Sequence, residues 1–538
     1  MGVDGLWKIL VPASDARSFQ ELVLMEGFGQ NSHNGGQLYR IGVDASIWMS
    51  QCANAFRSGA ANGGPRADLL ALFYKLARLL RAPVQVIFVF DGPERASMKR
   101  GHKVCTKPHV LTADLQWLLE CFGFSWYTAC AEAEAELAYL NRFGHIDAVL
   151  SEDVDALIFG AKRVIRADGN DDLDNVKLYD AEVIHCHKEV SLSHGDMVFI
   201  AVLRGGDYDN EIGLPGCGIT TAHRLCKYGL GNELLHAAQT LSRSDLDAFL
   251  ITWREDLRAV LQNDPDGYLG QQCGGIARAV SDKFPDPDVV CAYAMPLTSW
   301  SNGALGPDLP PAGQLNLAKL ANLCEQSFSW GTPSGIIKKF SNLIWEGACL
   351  RMLCEASVNI PPQSSTADEI FSPNSITRIF TCKPVPGRAQ YLNRYCVKLS
   401  TLPLVTASLS GISNTRRTVQ SSSSSMADPV LNNGVSSTST AVNSREWVLA
   451  PVLERVLPEM VDSFLHPKPK RKRKPKDVEP PQFAMKLHRL HRPARSPPRP
   501  TVIPSPVQDT GSTSASAIID LTNVTDTEDS DDSVIDLT

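Results

Sequence analysis

Three segments in the first third of the chain share one pattern, an apolar run that stops at an acidic residue. QLYRIGVDAS ends its run at Asp44, and APVQVIFVFDGP ends at Asp91. In HIDAVLSEDVDALIFGA the run Ile146 to Leu150 gives way to Asp153 and Asp155. Runs rich in Val, Ile and Phe, bounded by turn residues, predict buried strands. Between them apolar positions recur at helical spacing. One such stretch predicts a capped helix from Thr112 to Phe122 closed by Gly123, and Leu137, Leu140 and Asn141 continue a second that opens near Glu132 and Glu134. Strands alternating with helices predict an α/β fold with a mostly parallel central sheet.

Helical patterns continue through Leu234 to Leu261, Leu315 to Phe328 and Ile336 to Leu353. From 371 the segments FSPNSITRIFTCKP and QYLNRYCVKLSTLPLV read as strands, and 408-444 is a Ser/Thr/Asn-rich stretch that predicts a disordered insertion. REWVLAPVLERVLPEMVDSFL has apolar positions at 453, 456, 457, 460, 461 and 464 and reads as a helix that Pro458 must kink or restart. These changes divide the chain into 1-105, 106-195, 196-355, 371-466 with its insertion, and a tail over 467-538.

Composition narrows the class. At 538 residues and 43% hydrophobic content there is room for several domains with sizeable cores. No segment approaches the roughly 18 apolar residues of a membrane helix, no secretory signal precedes the first strand, and no membrane partner is expected. The 14 cysteines form no CxxC pair, which predicts reduced, buried thiols rather than zinc. His185-Cys186-His187 is too compact to chelate alone and reads as strand or turn. The formal charge of −7 is unusual for a nucleic-acid binder, but it is unevenly spread. Residues 95 to 107 carry Arg95, Lys99, Arg100, Lys103 and Lys107 with no acid.

The acids hold the chemistry. Asp44, Asp91, Glu132, Glu134, Asp153, Asp155 and Asp207 stand at strand ends, at a helix start, where the dipole favours anions, and in the phrase GGDY. In an open parallel sheet the carboxyl ends of the strands meet at one crevice. If the backbone stays extended there, Asp153 and Asp155 face the same way; Glu136, next in the run, reads as solvated. Carboxylates crowded together repel by several kcal/mol per close pair, so cations must balance them. All-oxygen ligation suits Mg²⁺ or Mn²⁺, and two ions ~4 Å apart stabilise both oxygens of an in-line phosphodiester displacement. A separate segment, Leu214-Pro215-Gly216-Cys217-Gly218-Ile219, places glycines before a helical stretch from Thr220 to Tyr228, a turn whose amides can hold a phosphate.

In order along the chain, MGVDGLWKIL, VDAS, VFDGP, AEAEAELAYLN, SEDVDALIFGA and LRGGDYDNEIGLPGCGITTAHRL resemble the XPG/flap endonuclease family of structure-specific nucleases. AYLN and FGAKRVIR resemble its Holliday junction resolvase branch. The resemblance covers about residues 1 to 235 and implies a PIN/5′-nuclease-like fold with a helix-two-turn-helix element at Gly216, Gly218 and Thr220, which holds duplex DNA with a bound monovalent cation. It assigns all seven acids to the metal site and Gly2 to a place beside it; a myristoylation reading of Gly2 is weaker, since Leu6 stands where Ser or Thr is wanted. By the same resemblance Lys99 contacts the scissile phosphate and Arg100 or Lys103 supplies a second cation, with Arg95 alongside. An ordinary solvated basic loop is the alternative. Forty residues separate Asp91 from Glu132, short for a helical arch that threads a free 5′ end. The 371-466 region resembles the chromodomain-like module of that branch, with Arg388, Arg394 and Lys398 as candidate DNA contacts, or a packing module only.

The tail divides by charge. Lys468 to Lys476 holds seven basic residues, the kind of cluster that nuclear import receptors read. Residues 501 to 538 have no Lys or Arg and eight acids, and carry two copies of one pentad, Ile518-Ile519-Asp520-Leu521-Thr522 and Val534-Ile535-Asp536-Leu537-Thr538. With Ile518, Ile519 and Leu521, and Val534, Ile535 and Leu537, they resemble SUMO-interaction motifs, which add a strand to a partner sheet. The expectation is a nuclear, Mg²⁺-dependent (or Mn²⁺-dependent) DNA endonuclease that resolves four-way junctions, two copies assembling on the branched DNA. A 5′-flap endonuclease and a catalytically silent scaffold are the alternatives.

Overall fold

In a computed structural model, the structure describes residues 2–28, 38–57, 66–104, 107–167, 175–209, 213–328, 330, 332–357, 371–385, 392–413 and 443–467. The strands of the first half are β1 (Asp15–Arg17), β2 (Tyr39–Asp44), β3 (Val84–Phe90), β4 (Met98–Lys99), β5 (His102–Lys103), β6 (Ser125–Thr128), β7 (Ala148–Leu150), β8 (Arg163–Ala167) and β9 (Val176–Asp180). Seven of them make one sheet in the order β1-β9-β8-β7-β2-β3-β6, while β4 and β5 pair as a separate hairpin. From β8 to β6 every pairing is parallel; β9 and β1 close one edge antiparallel. Strands from both halves of the nuclease region therefore share one sheet.

Strand β3 shows why its sequence is apolar without alternation. Phe88 and Phe90 enter one core, which holds the helices Ala67–Leu79, Thr112–Phe122 and Leu317–Ser327; Ile87 and Val89 enter another, under the helices Ala133–Arg142 and His194–Arg204. Both faces are covered, as parallel sheets require. Each such side chain contributes on the order of 1.5–3 kcal/mol relative to exposure. Gly42 in β2 lets the Ala133–Arg142 helix lie close, because a Cβ there would overlap Leu137.

Several local expectations change. The strand starts at Ala148 rather than Ile146, because the Asp147 carboxylate turns back to accept from the Arg40 amide (2.7 Å) and guanidinium. His185 and Cys186 are helical in Ala181–Cys186, since Asp180 caps that helix through the Glu182 and Val183 amides. The 336–353 pattern is two helices, Pro333–Leu343 and Trp345–Ser357. The Thr112–Phe122 helix is present and Gly123 closes it at φ +70°, but no side chain caps its start.

The C-terminal region forms a three-stranded antiparallel sheet of β10 (Ile376–Val385), β11 (Leu392–Ser400) and β12 (Asn443–Leu449). Arg445–Leu449, expected as the start of a helix, with Asn443 and Ser444, expected in the insertion, form β12, which pairs with β11 along its whole length, a partner that local spacing cannot announce. The helices Ala450–Val456 and Pro458–Leu465 follow, so Pro458 restarts a helix. Leu402–Ser410 is a helix with Pro403 in its first turn, where strand was expected as far as Val405 and the disordered insertion from Ser408; Ser408 is fully buried there. Ile376, Val397 and Val448 join the core that lies beneath Trp345–Ser357. Residues 414–442 of the predicted insertion, Arg388, the basic cluster from Lys468 and the acidic tail lie outside the described residues. No helix among the described residues is long and apolar enough to cross a membrane, and the described cysteines are free thiols.

Candidate active site

The sheet delivers its acids to one end. Asp44 closes β2 and is 1% exposed; its Oδ1 accepts from the amides of Ser46 (2.7 Å) and Ile47 (3.3 Å), fixing the start of the next helix. Asp91 follows β3 and accepts from the Ser46 hydroxyl (2.7 Å), the Ala133 amide (3.0 Å) and Arg95 (3.0 Å). Glu132 is the N-cap of Ala133–Arg142, with Glu134 in the first turn. Asp153 follows β7 and Asp155 opens the short helix Asp155–Ile158. The backbone between them is not extended as expected: it turns so that the Asp155 amide donates to Asp153 Oδ1 (3.1 Å). Asp207 comes from the loop after His194–Arg204.

Electrostatic coupling joins these groups. Burial, with Asp91 and then Asp153 close by, pushes Asp44 up to about 8. Burial also raises Glu134 well above its ordinary range, with Asp44, Asp153 and Glu132 adding to it. Asp155 is raised in the same way, by burial and then by Asp153 and Asp207. Asp153 is raised chiefly by burial. A crevice that makes carboxylates this reluctant to ionise favours cations strongly.

Three cations of the chain already enter it, Arg95 on Asp91 and two from a hairpin. The β4–β5 hairpin turns through Arg100 and Gly101, at φ +50° and +73°, a pair of left-handed residues suited to a two-residue turn. Its tip brings Lys99 Nζ to 2.9 Å from Glu132 Oε1 and 3.2 Å from Asp207 Oδ2. Burial alone would depress the Lys99 ammonium; Glu132, Glu134 and Asp207 outweigh it and raise it. Arg100 donates to Asp207 Oδ1 (2.9 Å) and to the Gly2 carbonyl (2.7 Å). Gly2 itself, at φ +77°, sits where a Cβ would overlap Asp153 and Asp155. Lys103 and Lys107 are exposed, away from these contacts.

Sequence reasoning missed two hydroxyls. Ser46 bridges to Asp91, and Tyr208 donates to Glu132 Oε2 (2.9 Å). Neither carries a signal apart from standing within two residues of a recognised acid. It also misplaced Glu136, which is fully buried and accepts from Tyr127 (3.1 Å) and the Ser299 amide (2.9 Å).

Among the described residues no three His, Cys, Asp or Glu side chains already close round one point as a finished metal site. The donor set nonetheless fits divalent cations that prefer oxygen: it is all carboxylate, and the buried Asp155 Oδ1 has no hydrogen-bond partner. Asp44, Asp91, Glu132, Glu134, Asp153, Asp155 and Asp207 are the residues that would hold them.

Beyond Asp207, Leu214 and Cys217 anchor a turn in the core, and the Cys217 carbonyl accepts from Arg204 (3.1 Å). Gly213 and Gly216 take positive φ, and Gly218 caps the helix Ile219–Leu225, which a 3-10 turn joins to Leu230–Thr240. Gly216, Gly218 and Thr220 are exposed on its outer side. In the C-terminal sheet Arg394 is turned inward, against Gln20 and Glu346. Lys398 lies in a cross-strand row with Arg378 and Arg445.

The XPG N-terminal domain model matches residues 1–105, and the XPG I-region model matches residues 123–207. Both matched segments are XPG-family domains, and together they take in just over a third of the 538 residues. It is 26% identical over 308 residues to the Homo sapiens flap endonuclease GEN homolog 1, a match covering 53% of this chain and 32% of that relative. The chain thus spans about a third of that relative's length. Among solved structures it is similar to a eukaryotic junction-resolving enzyme, GEN-1, binding cesium, with 25% identity and a TM-score of 0.64 over 86% of this chain and 99% of that one. A second, the Holliday junction-resolving enzyme GEN1 with product DNA and Mg²⁺, shares the fold at 24% identity and a TM-score of 0.63, with the same coverage.

Proposed function

We propose that this chain is an XPG-family, structure-specific DNA endonuclease that resolves four-way junctions by metal-dependent phosphodiester hydrolysis. The observation that carries the reading is the seven-carboxylate crevice with Lys99 and Arg100 folded into its mouth. Divalent cations bound there, two per site, would neutralise the charge that builds on the phosphate and ready a water for in-line attack. The chain's own groups do the rest. Ser46 and Tyr208 hold Asp91 and Glu132 in place, while Asp153 fixes the start of the Asp155 helix. Lys99 and Arg100 exchange their carboxylate partners for the scissile phosphate and stabilise its developing charge. Arg95 and Lys103 line the approach. The amides of the 213–219 turn grip the duplex backbone at Gly216, Gly218 and Thr220 without reading sequence, with a monovalent cation completing that grip.

In the chromodomain-like C-terminal module, the row Arg378, Lys398 and Arg445 sets like charges directly opposite one another, an arrangement a DNA backbone would relieve. Arg394, committed to Glu346, is not part of that contact. Symmetric resolution uses two copies assembled on the junction. The basic cluster from Lys468 directs nuclear import, and the two tail pentads bind SUMO. The arm that folds back as the β4–β5 hairpin favours an uninterrupted strand over a threaded flap.

Asp153→Asn tests the reading. It should abolish cleavage and leave junction binding largely intact; full activity in that variant would remove the mechanism.

A further inference from the structure

The phrase SEDVD holds three acids, and the crevice uses only Asp153 and Asp155. Glu152 stands directly before Asp153, yet its carboxylate turns to the neighbouring strand β8. Its Oε2 accepts from Arg166 Nε (3.0 Å) and its Oε1 from the Ala167 amide (2.9 Å), so the chain itself engages both oxygens. The residue before it is tied to the same strand: the Ser151 amide donates to the Ile165 carbonyl (3.1 Å), and Ser151 Oγ accepts from the Asp153 amide (3.0 Å).

A partly exposed ion pair contributes little by itself. This one is closed into a ring by a third residue. The Trp7 indole donates to the Glu152 carbonyl (3.1 Å), and the Arg166 guanidinium lies over the Trp7 ring, 4.7 Å from its centroid. Tyr179 of β9 packs on Trp7 as well, centroids 4.7 Å apart. Trp7 belongs to the helix Leu6–Leu10, which opens four residues after Gly2. Gly2 lies against the acids, since a Cβ there would overlap Oδ1 of both Asp153 and Asp155. The N-terminal strap is thus fixed at one end by Arg100 on the Gly2 carbonyl (2.7 Å) and at the other by Glu152 on Trp7.

We infer that Glu152 is a positioning residue of the crevice: it holds no cation, but clamps the N-terminal strap, through Trp7 and Arg166, to the segment that carries Asp153 and Asp155. Held there, the strap keeps Gly2 against the two carboxylates and restricts them before any cation arrives. The inference rests on the proposed reading of the crevice as a cation site.

The test is calorimetry of Mn²⁺ binding to the full chain without DNA, below the melting temperature of each variant. In Glu152→Gln one amide oxygen still serves the Ala167 N–H, while Arg166 loses its acceptor. Loss of an outer partner of a metal site weakens metal affinity by roughly 10–100-fold, so this variant should bind Mn²⁺ about tenfold more weakly. Its cleavage should recover as Mg²⁺ is raised, with junction affinity unchanged. Trp7→Phe, which keeps a ring and removes the indole donor, should weaken Mn²⁺ binding in the same direction. The control is Asp147→Asn, which breaks the ion pair with Arg40 at the other end of β7 and should leave Mn²⁺ affinity at the wild-type value. Wild-type Mn²⁺ affinity in Glu152→Gln and Trp7→Phe, or an equal loss in Asp147→Asn, overturns the inference and leaves the cation site standing. If the wild type itself binds no Mn²⁺, the cation site falls and the role of Glu152 with it.

Discussion

Arg100 donates to the carbonyl of Gly2 at 2.7 Å, joining two residues 98 positions apart in the chain. The same guanidinium holds Asp207, and the Arg100 amide donates to the Asp207 carbonyl (3.0 Å). One residue of the basic hairpin thereby ties the N-terminal strap to the loop that carries the seventh acid.

Arg100→Ala should therefore lower the cleavage rate by a factor on the order of 10²–10³, the usual effect of losing a donor aimed at developing charge. Junction affinity, which many phosphate contacts share, should change only a few-fold. Strand-specific incision kinetics with saturating junction check this; a wild-type rate would show the hairpin contact to be incidental.

Glu136 carries a stability prediction. It is fully buried, and both its oxygens accept, one from Tyr127 and one from the Ser299 amide. Glu136→Leu leaves both of those buried donors without an acceptor, at a cost of about 1–3 kcal/mol for each. Thermal unfolding should shift down, with cleavage below the melting temperature preserved. An unchanged melting curve would mean that the contact carries no net stability.

Glu136 also shows where the sequence stopped being legible. The run AEAEAE presents three chemically identical acids, and only the packing of Tyr127 and the 295–301 segment separates a structural carboxylate from the site carboxylates Glu132 and Glu134. Acids at the ends of β2, β3 and β7 were readable because an apolar run that stops at a carboxylate reflects a strand reaching the sheet edge. Tyr208 was not, since one hydroxyl in an apolar setting has no pattern until the fold sets it beside an acid. Strand β12 was hidden similarly: Val448 and Leu449 blend into the helical spacing of Leu453 and Val456, and only pairing with β11 decides between them.

Glu446, on β12, makes stability pH-dependent. Burial, with Glu346 nearby, raises it from 4.5 to about 7 against the opposing pull of Ser444 and Arg81. The folded state then holds more protons than the unfolded one between those values, so stability falls as pH rises from 4.5 toward 7 and is level above it. Glu446→Gln removes this penalty: it should leave stability near pH 4.5 unchanged and raise it above pH 7 by on the order of 1–3 kcal/mol. Denaturant titrations at both ends of the window check it. Equal effects of the substitution at both would contradict the shift.

Deleting 516 to 538, which lie outside the described residues, should abolish binding to SUMO while leaving incision of a junction unchanged. Pull-down with immobilised SUMO, alongside a cleavage assay of the same preparation, separates the two. Retained SUMO binding would show that the tail pentads are incidental.

The most direct test of the central claim is to incubate the purified full chain with Mg²⁺ and, in parallel, an intact four-way junction and a 5′ flap, labelling each strand in turn. The account predicts paired, symmetric nicks on opposing strands of the junction with ligatable ends. Efficient cutting of the flap alone, with the junction left intact, would contradict it.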